Sequence, residues 1–141
     1  MTIPLHQWRN MAMQAEFKKR VKKPRKYPEH ELCAAFWKLL PAEFKERAII
    51  YHTPNEHKGK FSGKLRQEIG VVAGVLDYHI ACFGSSYYLE AKAEARKRHK
   101  DGGLSPEQVA FTKKLDKQKI LWAVFYTPEE GLRKLKEWGL L

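Results

Sequence analysis

The sequence predicts an α/β fold in which a mixed β-sheet is flanked by helices. Short apolar runs typical of strands alternate with stretches whose apolar residues follow helical spacing, and two Ser/Thr-Pro motifs are suited to beginning helices. A chain of 141 residues has room for one compact domain. The expected order is helix, strand, strand, strand, helix, strand, helix.

The first half of the domain is expected to contribute one helix and one strand. From Glu29 onwards the apolar residues follow helical spacing as far as Pro41, which cannot continue a helix. Residues 47–52 (Arg-Ala-Ile-Ile-Tyr-His) are typical of a strand, and residues 53–63 are rich in Pro, Gly and Lys. We expect that last segment to be a basic loop.

The centre of the chain predicts a β-hairpin. Two apolar runs, 74–83 and 87–93, are separated by Gly84-Ser85-Ser86, a short connection that begins with glycine. Asp77 interrupts the first run, and Glu90 and Lys92 lie two residues apart on the second. Because side chains alternate along a strand, Glu90 and Lys92 are expected on the same sheet face, next to the strand that carries Asp77.

Two helices are predicted from capping motifs. Ser105-Pro106-Glu107-Gln108 forms a capping box, with serine at the N-cap, proline at the first helical position and glutamine three residues after the cap. Thr127-Pro128-Glu129-Glu130 repeats this logic and begins a final helix. The apolar run 120–126 between them is expected to be a strand.

The charge balance indicates an anionic partner. The chain has 27 Lys and Arg against 16 Asp and Glu, a net charge of +11. Residues 1–28 contain eight basic residues and one acidic residue, and they are interpreted as a basic arm ahead of the domain, 29–141. Such an arm can neutralise phosphates without sequence selectivity. A disordered, solubilising tail is the alternative.

Other compositional features narrow the class of protein. No apolar run approaches a membrane span, and the N-terminus lacks the pattern of a signal peptide, so a cytoplasmic protein is expected. Cys33 and Cys82 lie in apolar surroundings without CxxC spacing. They are expected to be buried thiols rather than a disulfide or a zinc site.

Asp77, Glu90 and Lys92 are the candidate chemical group. Phosphodiester hydrolysis needs hard oxygen ligands for Mg²⁺ or Mn²⁺ and a cation that orients the attacking water and stabilises developing negative charge. An Asp, a Glu and a Lys can supply both. A structural ion pair at a strand edge is the alternative for these residues taken alone.

From about Glu29 to the C-terminus the sequence resembles a VRR-NUC domain, the virus-type replication-repair nuclease branch of the PD-(D/E)xK superfamily. The resemblance implies a restriction-endonuclease-like core. The segments that carry it are Glu29-x-x-Leu32, His52-x-Pro54-Asn55, Gly70-Val71-x-Ala73-Gly74-Val75-x-Asp77, Tyr88-Leu89-Glu90-Ala91-Lys92, Leu104-Ser105-Pro106-Glu107-Gln108 and Trp138-Gly139-Leu140.

The resemblance implies a role for each site residue. A Mg²⁺ or Mn²⁺ ion would be bound by Asp77, Glu90 and the backbone carbonyl of Ala91. Lys92 would position the water, and Gln108 would hold the site from the neighbouring helix. Glu29 would complete the acidic cluster as a catalytic residue and a further metal ligand.

The acidic residue of the first helix has an alternative, and two positions depart from the family pattern. Glu29 matches the family position by its distance to Leu32, and Glu31 is the fallback. Leu76 replaces the proline that commonly precedes the aspartate, and Cys33 stands where many relatives have Gln. The second departure is expected to alter how the first helix supports the site.

Basic residues around the site are candidates for phosphate contacts, with a solvated surface as an equal alternative. Trp37, Trp122 and Phe125 are expected in the core, since they lie on apolar periodic segments. The candidates before the Asp strand are His52, Asn55, Lys58, Lys60, Lys64 and Arg66; those after the ExK strand are Arg96, Lys97, Arg98, His99 and Lys100.

Together these features lead us to expect a Mg²⁺- or Mn²⁺-dependent DNA endonuclease. By the resemblance, its substrates would include branched or junction DNA, and it would form a homodimer. A nucleic-acid-binding module that has lost cleavage is the alternative. A structural or regulatory protein whose acidic cluster merely pairs with lysines is a more distant one.

Overall fold

A computed structural model describes residues 4–7, 9, 28–54 and 59–141, with the backbone alone for 59–63. Most of the predicted basic arm therefore lies outside the described residues. The helices are α1 (Pro28–Leu39), α2 (Ala42–Arg47), α3 (Gly59–Glu68), α4 (Pro106–Lys117) and α5 (Pro128–Glu137); the strands are β1 (Ile49–His52), β2 (Tyr78–Cys82), β3 (Ser85–Ala91) and β4 (Leu121–Phe125).

The four strands form one mixed sheet in the order β1-β2-β3-β4. The pairs β1/β2 and β2/β3 are antiparallel, whereas β3 and β4 are parallel and connected through α4. In β2 and β3, Tyr78 lies opposite Leu89. Continued by one residue, this register places Asp77 opposite Glu90.

A two-residue turn connects β2 to β3. Cys82 pairs with Ser85, and the turn residues Phe83 and Gly84 have φ angles of 51° and 77°. Positive φ at both central positions is the signature of a type I′ turn, whose twist matches that of the flanking strands. The predicted hairpin is confirmed, but its connection is Phe83-Gly84, which begins one residue earlier and is one residue shorter than Gly84-Ser85-Ser86.

The apolar core lies between one face of the sheet and helices α1 and α5. Phe36 of α1 is fully buried, with ring centroids 5.2 Å from Tyr78 and 4.7 Å from Phe125. Gly131 of α5 allows this close approach, because a Cβ there would lie 2.7 Å from the Phe36 ring. Full burial of a Phe side chain contributes roughly 2–3 kcal/mol.

Helix α4 packs against the opposite face. Its buried residues are Thr112 and Leu115, and Phe111 meets the ring of Tyr88 edge-on at 5.4 Å. Asp116 accepts a hydrogen bond from the Trp122 indole at 2.8 Å.

The structure confirms a mixed α/β fold with a four-stranded mixed sheet flanked by helices, and it corrects several details. Helix α2 was not predicted, and α3 begins within the expected loop 53–63. The run 74–83 forms a strand only from Tyr78 onwards. Gly74, with a φ of +83°, lies in a turn before this strand, and Asp77 immediately precedes the strand.

Trp37 is not a core residue, because it is 38% exposed, with its ring stacked on Tyr78 and under the Lys45 ammonium. The prediction is confirmed for Phe125, which is fully buried, while Trp122 is partly buried. Among the described residues, none of the helices combines the length and apolar character that a membrane span needs.

Candidate active site

The candidate site lies at one end of the sheet, where three strands end and one begins. β1 and β3 both run antiparallel to β2, so their C-terminal ends meet the start of β2. This places His52, Asp77 and Glu90 at neighbouring positions. Since β4 is parallel to β3, its C-terminal end lies there as well.

Asp77 and Glu90 are fixed by hydrogen bonds that their carboxylates accept from backbone amides across the β2/β3 pair. The Asp77 amide donates to Glu90 Oε2 at 2.9 Å, and the Ala91 amide donates to Asp77 Oδ2 at 2.9 Å. These bonds continue the β2/β3 pairing beyond Tyr78 and Leu89, with carboxylate oxygens as the acceptors. The two acids are therefore held by the register of the sheet.

Glu90 is the most enclosed charged group of the site, with 2% of its surface exposed. Its Oε1 accepts a hydrogen bond from Gln108 Nε2 at 2.5 Å and lies 3.1 Å from Lys92 Nζ. Lys92 is also buried, at 6% exposure, and its backbone amide donates to Phe125 O. The predicted convergence of Asp77, Glu90, Lys92 and Gln108 is present.

Burial and nearby negative charge make both carboxylic acids weaker. Desolvation is the largest cause that raises the pKa of Glu90 to about 7, followed by the negative charge of Asp77, and Lys92 opposes both. The pKa of Asp77 is also raised, chiefly by burial. The hydrogen bond from the Ala91 amide and the charge of His52 act in the opposite direction and lower it. The cluster therefore has more negative charge than Lys92 alone can balance, and a cation would stabilise it.

Gln108 is positioned by the capping box that begins α4. Ser105 Oγ accepts from the Gln108 amide at 3.1 Å, and Gln108 Oε1 accepts from the Ser105 amide at 3.0 Å. With its oxygen occupied, the side chain directs its NH₂ group towards Glu90. One glutamine therefore both caps the helix and joins it to the site.

Gly74 allows the segment that leads to Asp77 to pass close to α4. A Cβ at this position would lie 2.4 Å from the Glu107 carbonyl and 2.7 Å from the Gln108 nitrogen. The positive φ of Gly74 also disfavours any side chain. A cleft of about 240 Å³ opens beside this contact, lined in part by Pro54, Arg66 and Gln108.

His52 and Cys33 complete the site on the side away from α4. His52 Nε2 lies 3.5 Å from Asp77 Oδ1, and its ring meets Tyr78 edge-on at 5.0 Å. Ligand atoms of Cys33, His52 and Asp77 all lie within 4.8 Å of one another. From the sequence, His52 was a candidate phosphate contact and Cys33 a buried thiol, so their proximity to Asp77 was not predicted.

The thiol of Cys33 is half-buried beside negative charge. Desolvation and the charge of Asp77 raise its pKa to about 12, and its backbone carbonyl accepts a hydrogen bond from the Tyr78 hydroxyl at 3.3 Å. Burial likewise raises the pKa of Tyr78. Cys82 is buried in the core instead, and both cysteines are free thiols.

Glu29 lies at the margin of the acidic cluster. Its charge contributes to the raised pKa values of Asp77 and Cys33, and its carboxylate is 4.0 Å from the Arg96 guanidinium. Glu31 is exposed on the same helix turn. Of the two alternatives, Glu29 is the one whose charge acts on Asp77.

The other candidate phosphate contacts are dispersed. Lys64 is exposed and Arg66 lines the cleft, and the run Arg96, Lys97, Arg98, His99 and Lys100 is exposed beside the site. Asn55 and Lys58 lie outside the described residues, as does the side chain of Lys60.

Comparisons of the chain with protein-family models, curated proteins and solved structures found no match.

Proposed function

We propose that this protein is a Mg²⁺- or Mn²⁺-dependent DNA endonuclease with a restriction-endonuclease-like core. The observation that carries the proposal is the enclosed group of Asp77, Glu90, Lys92 and Gln108 at the end of the β2/β3 pair. Two carboxylates held by backbone amides, beside a buried lysine, suit hydrolysis at a phosphodiester.

The donor atoms of this group fit a hard divalent cation. Asp77 and Glu90 offer carboxylate oxygens. Asp77 Oδ2 and Glu90 Oε2 each accept one backbone hydrogen bond and keep a lone pair, whereas Glu90 Oε1 faces both Gln108 and Lys92. The backbone carbonyl of Ala91 and the carboxylate of Glu29 are proposed as further ligands. When bound, Mg²⁺ or Mn²⁺ supplies polarisation of the phosphate and a more acidic water.

The protein's own residues then have distinct tasks. Lys92, with its Nζ 3.1 Å from Glu90, would position the attacking water and stabilise the charge that develops on the phosphate. Gln108 keeps Glu90 Oε1 in one orientation. The exposed run 96–100 offers positive charge that would attract the DNA backbone. We also propose that the substrates include branched or junction DNA and that the enzyme is a homodimer.

A cleavage assay on the full chain tests the function. Linear, flapped and branched DNA would each be incubated with Mg²⁺, Mn²⁺ or EDTA. We expect cleavage with metal and none in EDTA. Asp77→Asn should reduce the rate by about 100-fold or more, because Lewis-acid stabilisation is worth several kcal/mol. Asp101→Asn is the matched control, since Asp101 is exposed and its φ of 57° suits asparagine.

The alternative is a nucleic-acid-binding module that uses its positive charge and does not cleave. The net charge of +11 favours DNA binding under either reading. DNA binding in EDTA, together with no cleavage of any substrate in Mn²⁺, would support the module and overturn the nuclease. Equal cleavage by wild type and Asp77→Asn would instead indicate a contaminating enzyme and remove the support for this site.

A further inference from the structure

Three side chains of different chemistry converge beside the acidic pair. Cys33 comes from α1, His52 from the end of β1, and Asp77 from the segment that precedes β2. One potential ligand atom from each lies within 4.8 Å of the other two. From this convergence we propose a second metal site, for a thiophilic divalent cation such as Zn²⁺, formed by Cys33, His52 and Asp77.

The separations suit a tetrahedral ion. Zinc bonds of roughly 2.0–2.1 Å to nitrogen and oxygen place neighbouring ligand atoms about 3.3 Å apart. His52 Nε2 and Asp77 Oδ1 are 3.5 Å apart, close to that requirement. The longer zinc–sulfur bond of about 2.3 Å increases the required separation for Cys33 Sγ to roughly 3.6 Å. Cys33 Sγ lies within 4.8 Å of the other two ligand atoms, so rotation of its side chain towards them would complete the site.

The donor set separates this site from the proposed catalytic one. Asp77, Glu90 and a backbone carbonyl offer only oxygen, which Mg²⁺ and Mn²⁺ prefer. Sulfur and imidazole nitrogen instead favour Zn²⁺. Three protein ligands leave a fourth position for water, and the 46% exposure of the His52 side chain gives an ion access from solvent.

The electrostatic setting also favours a dication. Asp77, Glu90 and Glu29 all place negative charge near the Cys33 thiol. Repulsion from these charges disfavours an isolated thiolate, whereas a dication bound between Cys33 and Asp77 is attracted to them. Binding would release the thiol proton to solvent as the sulfur–metal bond forms.

Asp77 belongs to both metal sites, which has a regulatory consequence. A zinc ion held by Cys33, His52 and Asp77 would withdraw an Asp77 oxygen from the catalytic metal. Zinc should therefore inhibit Mg²⁺-dependent cleavage. This consequence rests on the proposed function, whereas binding at the thiol does not.

Cobalt spectroscopy on the metal-free full chain tests the site without any nuclease assay. Co²⁺ bound by a thiolate gives a near-ultraviolet charge-transfer band, which added Zn²⁺ should abolish by displacement. Cys33→Ser should lose the band, and Cys82→Ser, the matched control in the core, should keep it. His52→Ala should weaken Zn²⁺ binding by about 10-fold or more compared with the control His79→Ala.

The outcomes are separable. A band that is absent from the wild type, or equally strong in Cys33→Ser, overturns the proposal. Melting temperatures measured without metal identify a variant that fails to fold, and Cys33→Ala then replaces Cys33→Ser. Zinc inhibition is measured against each variant's own Mg²⁺-dependent rate, and inhibition as strong in Cys33→Ser as in the wild type overturns the regulatory consequence. A cobalt band without cleavage of any DNA keeps the metal site and overturns only the nuclease.

Discussion

Stability of the metal-free protein should fall as pH rises, because Glu90 is buried with a raised pKa. Its pKa increases from the ordinary 4.5 to about 7 in the folded state. Between these values the folded protein retains a proton that the unfolded chain has released. The free energy of unfolding therefore decreases as pH rises through this window.

The magnitude follows from the two pKa values. At roughly 1.4 kcal/mol per pH unit, the change from 4.5 to about 7 corresponds to about 3 kcal/mol. Asp77 acts in the same direction, since its pKa is raised as well. His79 has the opposite effect. Burial lowers its pKa, so its contribution to the free energy of unfolding increases as pH rises.

The assay is urea denaturation in EDTA at pH 5 and pH 8, for wild type and Glu90→Gln. The difference between the two proteins cancels the contribution of His79 and of other groups that do not interact with Glu90. We expect wild type to lose about 2–3 kcal/mol relative to Glu90→Gln between these pH values. Glu43→Gln, at an exposed position, should show no such change. A difference that is the same at both pH values would refute a buried acid with a raised pKa.

Three further substitutions, two of them with a matched control, test how the site is held. Lys92→Met removes the cation beside Glu90 and should cost about 3–5 kcal/mol at pH 8 but much less at pH 5; equal losses in urea denaturation would contradict this. Gly74→Ala should cost about 2–4 kcal/mol because its Cβ meets α4, whereas Gly84→Ala, also at positive φ but in open space, should cost about 1–2 kcal/mol by thermal unfolding. Ser105→Ala and Thr127→Ala each remove an N-cap worth about 1 kcal/mol, yet only Ser105→Ala should slow DNA cleavage; equal rates would exclude a positioning role for its capping box.

Local hydrogen bonding explains which elements could be predicted from the sequence. The capping motif at Ser105 and the N-cap at Thr127 both form as expected, because their partners lie within three residues. Helix α2 was missed because Ala42–Arg47 is a single short segment after Pro41, with one buried residue, Phe44. Tertiary packing, not a periodic pattern, stabilises so short a helix.

The site could be predicted only in part for a related reason. Residue types indicated Asp77, Glu90 and Lys92, and the family resemblance added Gln108. Neither indicated that the two carboxylates accept hydrogen bonds from the amides of Asp77 and Ala91. Those hydrogen bonds depend on strand register, which the sequence does not state. The approach of Cys33 to His52 depends on how α1 packs over the sheet, so no short-range motif indicated it.

The geometry of the acidic pair links the fold to the proposed chemistry. β2 begins at Tyr78, and beyond it the side chains of Asp77 and Glu90 provide the acceptors that strand carbonyls would otherwise supply. A slip of one residue between β2 and β3 would direct these side chains to opposite faces and break both bonds. The sheet pairing that buries the core therefore also holds two repelling carboxylates together. Their repulsion is a cost to the metal-free fold that binding of a divalent cation would offset.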